Sequence, residues 1–147
     1  MPKLSDAAPS IIVGRCAVRN PDNYLLLVRR EFEAEHNAGL WEFPGGKVGV
    51  GEIVNLATQR EVFEETGLEV GLTSDSVLVD NRIIEDGELE GTAYIMFCAA
   101  GKTLGETVRL SSEHTRFTWE KYDDLINYDL TPETRKAAIS LGKLALI

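Results

Sequence analysis

The chain has 147 residues, enough for one domain with a single sizeable core, and its 44% hydrophobic and 27% charged residues are ordinary for a soluble globular protein. A formal net charge of −9 argues against non-specific nucleic-acid binding and against attachment to an acidic membrane surface. It leaves phosphorylated ligands open, because divalent cations can bridge an acidic site and an anionic substrate.

Met1 to Ser10 is polar, contains Pro2 and Pro9, and lacks the apolar centre of a secretory signal, so residues 1–9 are expected to be flexible. The longest apolar run, Ala93 to Ala100, is too short to span a bilayer, and a cytoplasmic location is expected. Ile11 to Val18 reads as a β-branched-rich strand, followed by the turn formers Asn20, Pro21, Asp22 and Asn23 and a second strand, Tyr24 to Val28. This hairpin ends in Arg29 and Arg30, either of which can reach a phosphate or stack on a base. Glu31 to Gly39 reads as a loop with His36 on the surface. Leu40 to Phe43 is a short strand anchored by Trp41 and Phe43, leading into a glycine loop, Pro44 to Lys47.

From Ile53 the pattern predicts a helix that ends at Gly67, a residue suited to a left-handed cap. At roughly 100° per residue, Leu56, Val62 and Phe63 are expected on one side and Glu61, Glu64 and Glu65 on the other. Three carboxylates so close repel one another unless a cation sits between them, and oxygen donors suit Mg²⁺ or Mn²⁺. Arg60, four residues before Glu64, can orient that carboxylate. Farther along come strands at Val77 to Ile84 and Glu90 to Ala99, a polar loop at Gly101 to Glu106, a strand at Thr115 to Trp119 and a helical turn at Tyr122 to Ile126. A second helix opens with Thr131 as N-cap and Pro132 in its first turn and runs to about Leu144. Cys16 and Cys98, among apolar neighbours, are expected as buried free thiols. Strands mixed with two main helices predict a single α+β domain over residues 1–147, a layered αβα sandwich with a mixed sheet between helices.

The stretch Gly46 to Leu68, with Gly46, Glu52, Arg60, Glu61, Glu64, Glu65 and Gly67 in register, resembles the Nudix box at every defining position, and Trp41 to Gly46 resembles the segment that often precedes it. The resemblance implies an αβα sandwich that hydrolyses a nucleoside diphosphate linked to another moiety, with Mg²⁺, or Mn²⁺ in its place. It implies Glu61 and Glu65 as metal ligands, Glu64 as a ligand or member of the same cluster, and the Gly45 carbonyl as a further ligand. Glu52 would act nearer the outer shell or bind an additional ion, and Arg60 would orient a glutamate. The general base is implied to be a box glutamate or one in a later loop, with Glu113 first and Glu85, Glu88 and Glu90 as rivals; His114 is read as packing or surface. Arginines in the place of Arg29 and Arg30 often contact substrate.

Residues Arg82 to Asp86 hold neither the proline of ADP-ribose branches nor the tyrosine of dinucleoside polyphosphate branches. That favours a MutT-like enzyme that converts a nucleoside triphosphate to the monophosphate and pyrophosphate, although only Asn127 lies near the position at which MutT itself carries a base-reading asparagine. The alternatives are an ADP-ribose or nucleotide-sugar pyrophosphatase and a non-catalytic nucleotide-sensing module, the latter disfavoured by the intact carboxylates. A homodimer is common in the family.

Overall fold

Residues alternate between two faces along the first strands, and this decides the layering. The computed structural model describes residues 9–105 and 107–147. Residues 1–8, expected to be flexible, and Glu106 at the end of the expected polar loop lie outside them; the Pro9 carbonyl accepts from the Ala93 N–H. Strand β1 spans Ser10–Arg19 and β2 Leu25–Arg30. Val13, Ala17, Leu25 and Leu27 enter one apolar cluster, whereas Cys16, Val18, Leu26 and Val28 enter another on the opposite face. Leu25 to Val28 of β2 form an uninterrupted apolar run because both faces of the strand are covered there.

The remaining strands are β3 (Trp41–Glu42), β4 (Gly45–Lys47), β5 (Gly71–Leu72), β6 (Val77–Ile83), β7 (Ala93–Lys102) and β8 (His114–Glu120). They join one mixed sheet. β1 runs parallel to β7 over its whole length and antiparallel to β4, while β2 pairs antiparallel with both β3 and β8. Helix α1 (Val54–Thr66) covers one face with Val62. Helix α2 (Pro132–Lys143) covers the other with Ala137, Ala138 and Leu141. The mixed sheet between two helices is the α+β sandwich expected.

The expected caps are in place. Gly67 has φ 73° and its N–H bonds to the Phe63 carbonyl, and the Thr131 side chain accepts from the Thr134 N–H. Cys16 and Cys98 are buried free thiols, and burial pushes Cys98 up to about 12. Some boundaries differ from expectation. β2 continues through both arginines, the glycine loop contributes a short strand on β1, and β7 extends to Lys102, where it pairs with β5.

One expectation is overturned. Leu56 and Phe63 are exposed, and the buried side of α1 is Ala57, Thr58, Val62, Glu65 and Thr66. Small residues win this face because α1 lies close on β1: a Cβ on Gly14 would overlap the Thr58 hydroxyl. The carboxylate face therefore points partly into the molecule. Among the described residues no helix is long and apolar enough to cross a membrane.

Candidate active site

Two glycines let α1 come down on β4. Gly45 has φ 150°, and a Cβ there would strike the Gly14 carbonyl oxygen; a Cβ on Gly46 would strike the Glu61 carboxylate. With side chains absent, the Gly45 N–H donates to Glu65 Oε1 at 2.9 Å, tying the strand to the helix face.

Glu65 is 4% exposed. Its carboxyl is pushed up to about 9, chiefly by burial; the Gly45 hydrogen bond works the other way, and the Glu113 carboxyl adds to the rise. Glu61 is also raised by burial, against the pull of Arg60, with Glu64 and Glu113 adding to the rise. Carboxylates left in this condition favour a cation between them.

Arg60 gathers the outer carboxylates. Nε and Nη2 donate to the two oxygens of Glu52 at 2.9 Å each, and Nη1 reaches Glu61 and Glu64 at 3.1 Å. Glu52 also accepts from the Gly49 N–H at 2.7 Å, and these bonds hold its carboxyl below the usual range, the Arg60 bond most strongly. The expected set thus divides: Glu52, Glu61 and Glu64 share Arg60, whereas Glu65 lies deeper, beside Glu113.

Glu113 reaches that place because its loop is pinned at several points. The Ser111 N–H donates to the Glu65 carbonyl at 3.0 Å, the Arg109 N–H to the Thr66 carbonyl at 2.8 Å, and the Glu113 carbonyl accepts from the Glu31 N–H at 3.1 Å. Oxygens of Glu65 and Glu113 and a ring nitrogen of His114 lie within 4.8 Å of one another. The rivals Glu85, Glu88 and Glu90 fall in and beside the turn between β6 and β7, where Gly91 N–H closes on the Ile84 carbonyl. They are not in this cluster.

Behind it lies a charged group of which the residue patterns give a functional role to Arg30 alone. Glu42 on β3 receives Arg15 at 3.4 Å, Arg30 at 3.3 Å and His114 Nε2 at 2.8 Å, with its side chain 3% exposed. Burial alone would raise its carboxyl, but Arg15, His114 and Arg30 outweigh burial and hold it at about 2. His114, read as packing or surface, is buried within this network. A single charged residue inside an apolar run is the signal that marks such positions: Arg15 within Ile11 to Val18, and Glu42 between Trp41 and Phe43.

The two arginines of β2 diverge. Arg29 donates to the Gly39 carbonyl and lies 4.5 Å above the Phe32 ring. Arg30 donates to the His36 carbonyl and lines, with His36, Ser112 and Glu113, a cleft of about 520 Å³. A larger cleft of about 850 Å³, past the C-terminus of α1, has Glu69 as the one acidic wall residue among the described residues. The donor set, oxygen-rich with one imidazole, fits a divalent metal ion.

Known proteins share this fold. The family model described as NUDIX domain matches residues 10–141. A Mycobacterium tuberculosis protein provisionally named 8-oxo-dGTP diphosphatase 2 is 33% identical over 110 residues, covering 75% of this chain and 74% of its own. The nucleoside triphosphatase NudI of Escherichia coli is 29% identical over 136 residues, covering 88% of this chain and 95% of its own. The crystal structure of a MutT protein from Methanosarcina mazei superposes with a TM-score of 0.67 at 29% identity, covering 90% of this chain and 92% of that one. With the family model spanning nearly the whole chain and the box carboxylates gathered on one side of α1, the chain belongs to the Nudix family of hydrolases.

Proposed function

We propose that this single-domain hydrolase cleaves a nucleoside triphosphate with one water to the monophosphate and pyrophosphate. The observation that carries the reading is the buried Glu65, held by the Gly45 N–H and facing Glu113, with Glu61 on the same side of α1. Glu61, Glu64, Glu65 and the Gly45 carbonyl would hold Mg²⁺, or Mn²⁺ in its place, with Glu52 bracing the set through Arg60. When bound, the ion offsets negative charge on the phosphate oxygens and lowers the pKa of water.

The chain's own residues supply the rest. Glu113 is exposed on the cleft and takes the proton of the attacking water as general base. Arg30, half-buried on the same cleft, meets a phosphate, while Arg29 beside the exposed Phe32 offers a cation and a ring to the nucleoside. The names borne by the two relatives support the triphosphate over ADP-ribose or a nucleotide sugar. Retention of all the box carboxylates supports catalysis over sensing.

The test is product release from nucleoside triphosphates, ADP-ribose, nucleotide sugars and dinucleoside polyphosphates, each with Mg²⁺ and with chelator. Metal-dependent pyrophosphate release from triphosphates is the expected result. Cleavage confined to ADP-ribose or nucleotide sugars would overturn the substrate, and cleavage undiminished in chelator would overturn the metal.

A further inference from the structure

β8 is an outer strand of the sheet: among the described residues it pairs with β2 alone. Which of its backbone groups face outward follows from the ladder. The Arg30 N–H turns away from β8 to the Leu40 carbonyl, and the Glu31 N–H turns back to the Glu113 carbonyl. Alternation along β2 then points Leu25, Leu27 and Arg29 at β8, and their partners Glu120, Thr118 and Arg116 at β2. Phe117 and Trp119 are left with their N–H and C=O groups directed outward. The register shift lies at Arg29/Arg30, so Arg116 to Glu120 is a regular edge, of the kind that accepts another strand.

We propose that this edge pairs antiparallel with the same edge of a second copy of the chain, across a twofold axis at Thr118. In that register Phe117 stands opposite Trp119 of the second copy, and the two exchange their outward N–H and C=O groups. Phe117 is 43% exposed, and Trp119 is half-buried against the apolar cluster of Leu26 and Val28, so aromatic meets aromatic on that face. On the other face the exposed Arg116 stands opposite Glu120 of the second copy, and the pair occurs twice by symmetry. Moving the axis by one residue, to Phe117 or Trp119, separates both pairs. β6, another outer strand, is a poorer edge: its ladder shifts at Leu78/Asp80, and Asp80 and Arg82 are already paired with each other. The formal net charge of −9 repels two copies at long range, but salt screens that repulsion beyond about 8 Å, whereas Arg116 and Glu120 would be in contact.

Pairing along so short a strand buries less surface than a permanent dimer needs, so the association should be reversible. Sedimentation of the full-length chain from about 10 µM to about 1 mM should show the mass rising from 16.2 kDa toward twice that value, and a monomer throughout overturns the proposal. Arg116→Glu sets like charges opposite one another and should weaken self-association about tenfold or more; adding Glu120→Arg should bring it back to within about threefold of native. Native-like association of Arg116→Glu, or no recovery in a folded double variant, overturns the charge pairing. Glu120 also accepts from the Thr118 and Tyr128 hydroxyls, so cross-linking decides if the double variant does not fold. Cys16 and Cys98 are buried, which leaves Thr118→Cys as the sole accessible thiol. Across the axis that position meets itself with Cα atoms about 4.5 Å apart, within disulfide reach, while Arg116→Cys would stand about 13 Å from its own copy. On oxidation Thr118→Cys should run as a covalent dimer and Arg116→Cys as a monomer. Equal cross-linking of the two, or none of Thr118→Cys, overturns the register. These outcomes do not depend on which nucleotide the chain cleaves.

Discussion

Arg60 grips Glu52 as a fork, Nε to one carboxylate oxygen and Nη2 to the other, both at 2.9 Å, while Nη1 is left for Glu61 and Glu64. A planar guanidinium can serve three carboxylates at once in a fixed geometry, which a lysine ammonium cannot. Arg60→Lys should therefore keep the charge and lose the arrangement. Because the cluster is largely exposed, the melting temperature should barely move. Turnover should fall by about tenfold or more, and unchanged turnover would show that the fork does not orient the site.

The αβα layering was legible because Val13, Ala17, Leu25 and Leu27 alternate with Cys16, Val18, Leu26 and Val28, and period two needs no long-range knowledge. Gly67 and Thr131 were legible for a similar reason, since a cap depends on its immediate neighbours. The side of α1 facing the sheet was not. Apolar content pointed to Leu56 and Phe63, but closeness to Gly14 selected Ala57 and Thr58, a choice made by the partner surface. The group of Arg15, Glu42 and His114 was hidden more deeply. Its members come from β1, β3 and β8: the pairing of β2 with both β3 and β8 brings Glu42 and His114 together, and Arg15 reaches them from β1, donating to the Phe43 carbonyl.

Glu42 makes an acid-side prediction. Its ordinary carboxyl value of 4.5 is lowered to about 2 in the fold, so its contribution to stability is present above pH 4.5 and is lost as pH falls through about 2. The shift corresponds to roughly 3 kcal/mol at neutral pH. Denaturant melts of the native chain should lose stability across that interval, and Glu42→Gln should flatten the dependence there. An identical pH profile for the variant would show that the three cations do not favour ionised Glu42.

The two glycines before the helix should respond differently to alanine. At Gly46 the added Cβ meets the end of the Glu61 side chain, which can swing aside, so the fold should persist while Glu61 leaves its place and activity falls about tenfold or more. At Gly45 the Cβ meets the Gly14 carbonyl and the Arg15 Cα in a backbone conformation with φ 150°, and nothing there can move cheaply. Gly45→Ala should cost about 2 kcal/mol or more of unfolding free energy. Equal stability for the two variants in parallel denaturant titrations would contradict the contact each is said to make.

Glu65→Gln separates catalysis from structure most directly. Glutamine keeps the volume and an oxygen that can accept the Gly45 N–H, so the tie between β4 and α1 survives. The carboxyl is pushed up to about 9, which means that ionising it within the metal-free fold is unfavourable at neutral pH. By linkage its contribution to stability is complete below pH 4.5 and is lost as pH rises through about 9. A permanently neutral side chain escapes that loss, so Glu65→Gln without metal should melt no lower than the native chain at pH 7 and should be relatively more stable at pH 9. Its turnover with Mg²⁺ should fall by about a hundredfold or more, because a neutral amide replaces a charged ligand. Near-native turnover would remove Glu65 from the metal site. A melting temperature far below the native one would instead show that the ionised carboxylate is needed to hold α1 on the sheet, a role the Gly45 hydrogen bond alone does not require.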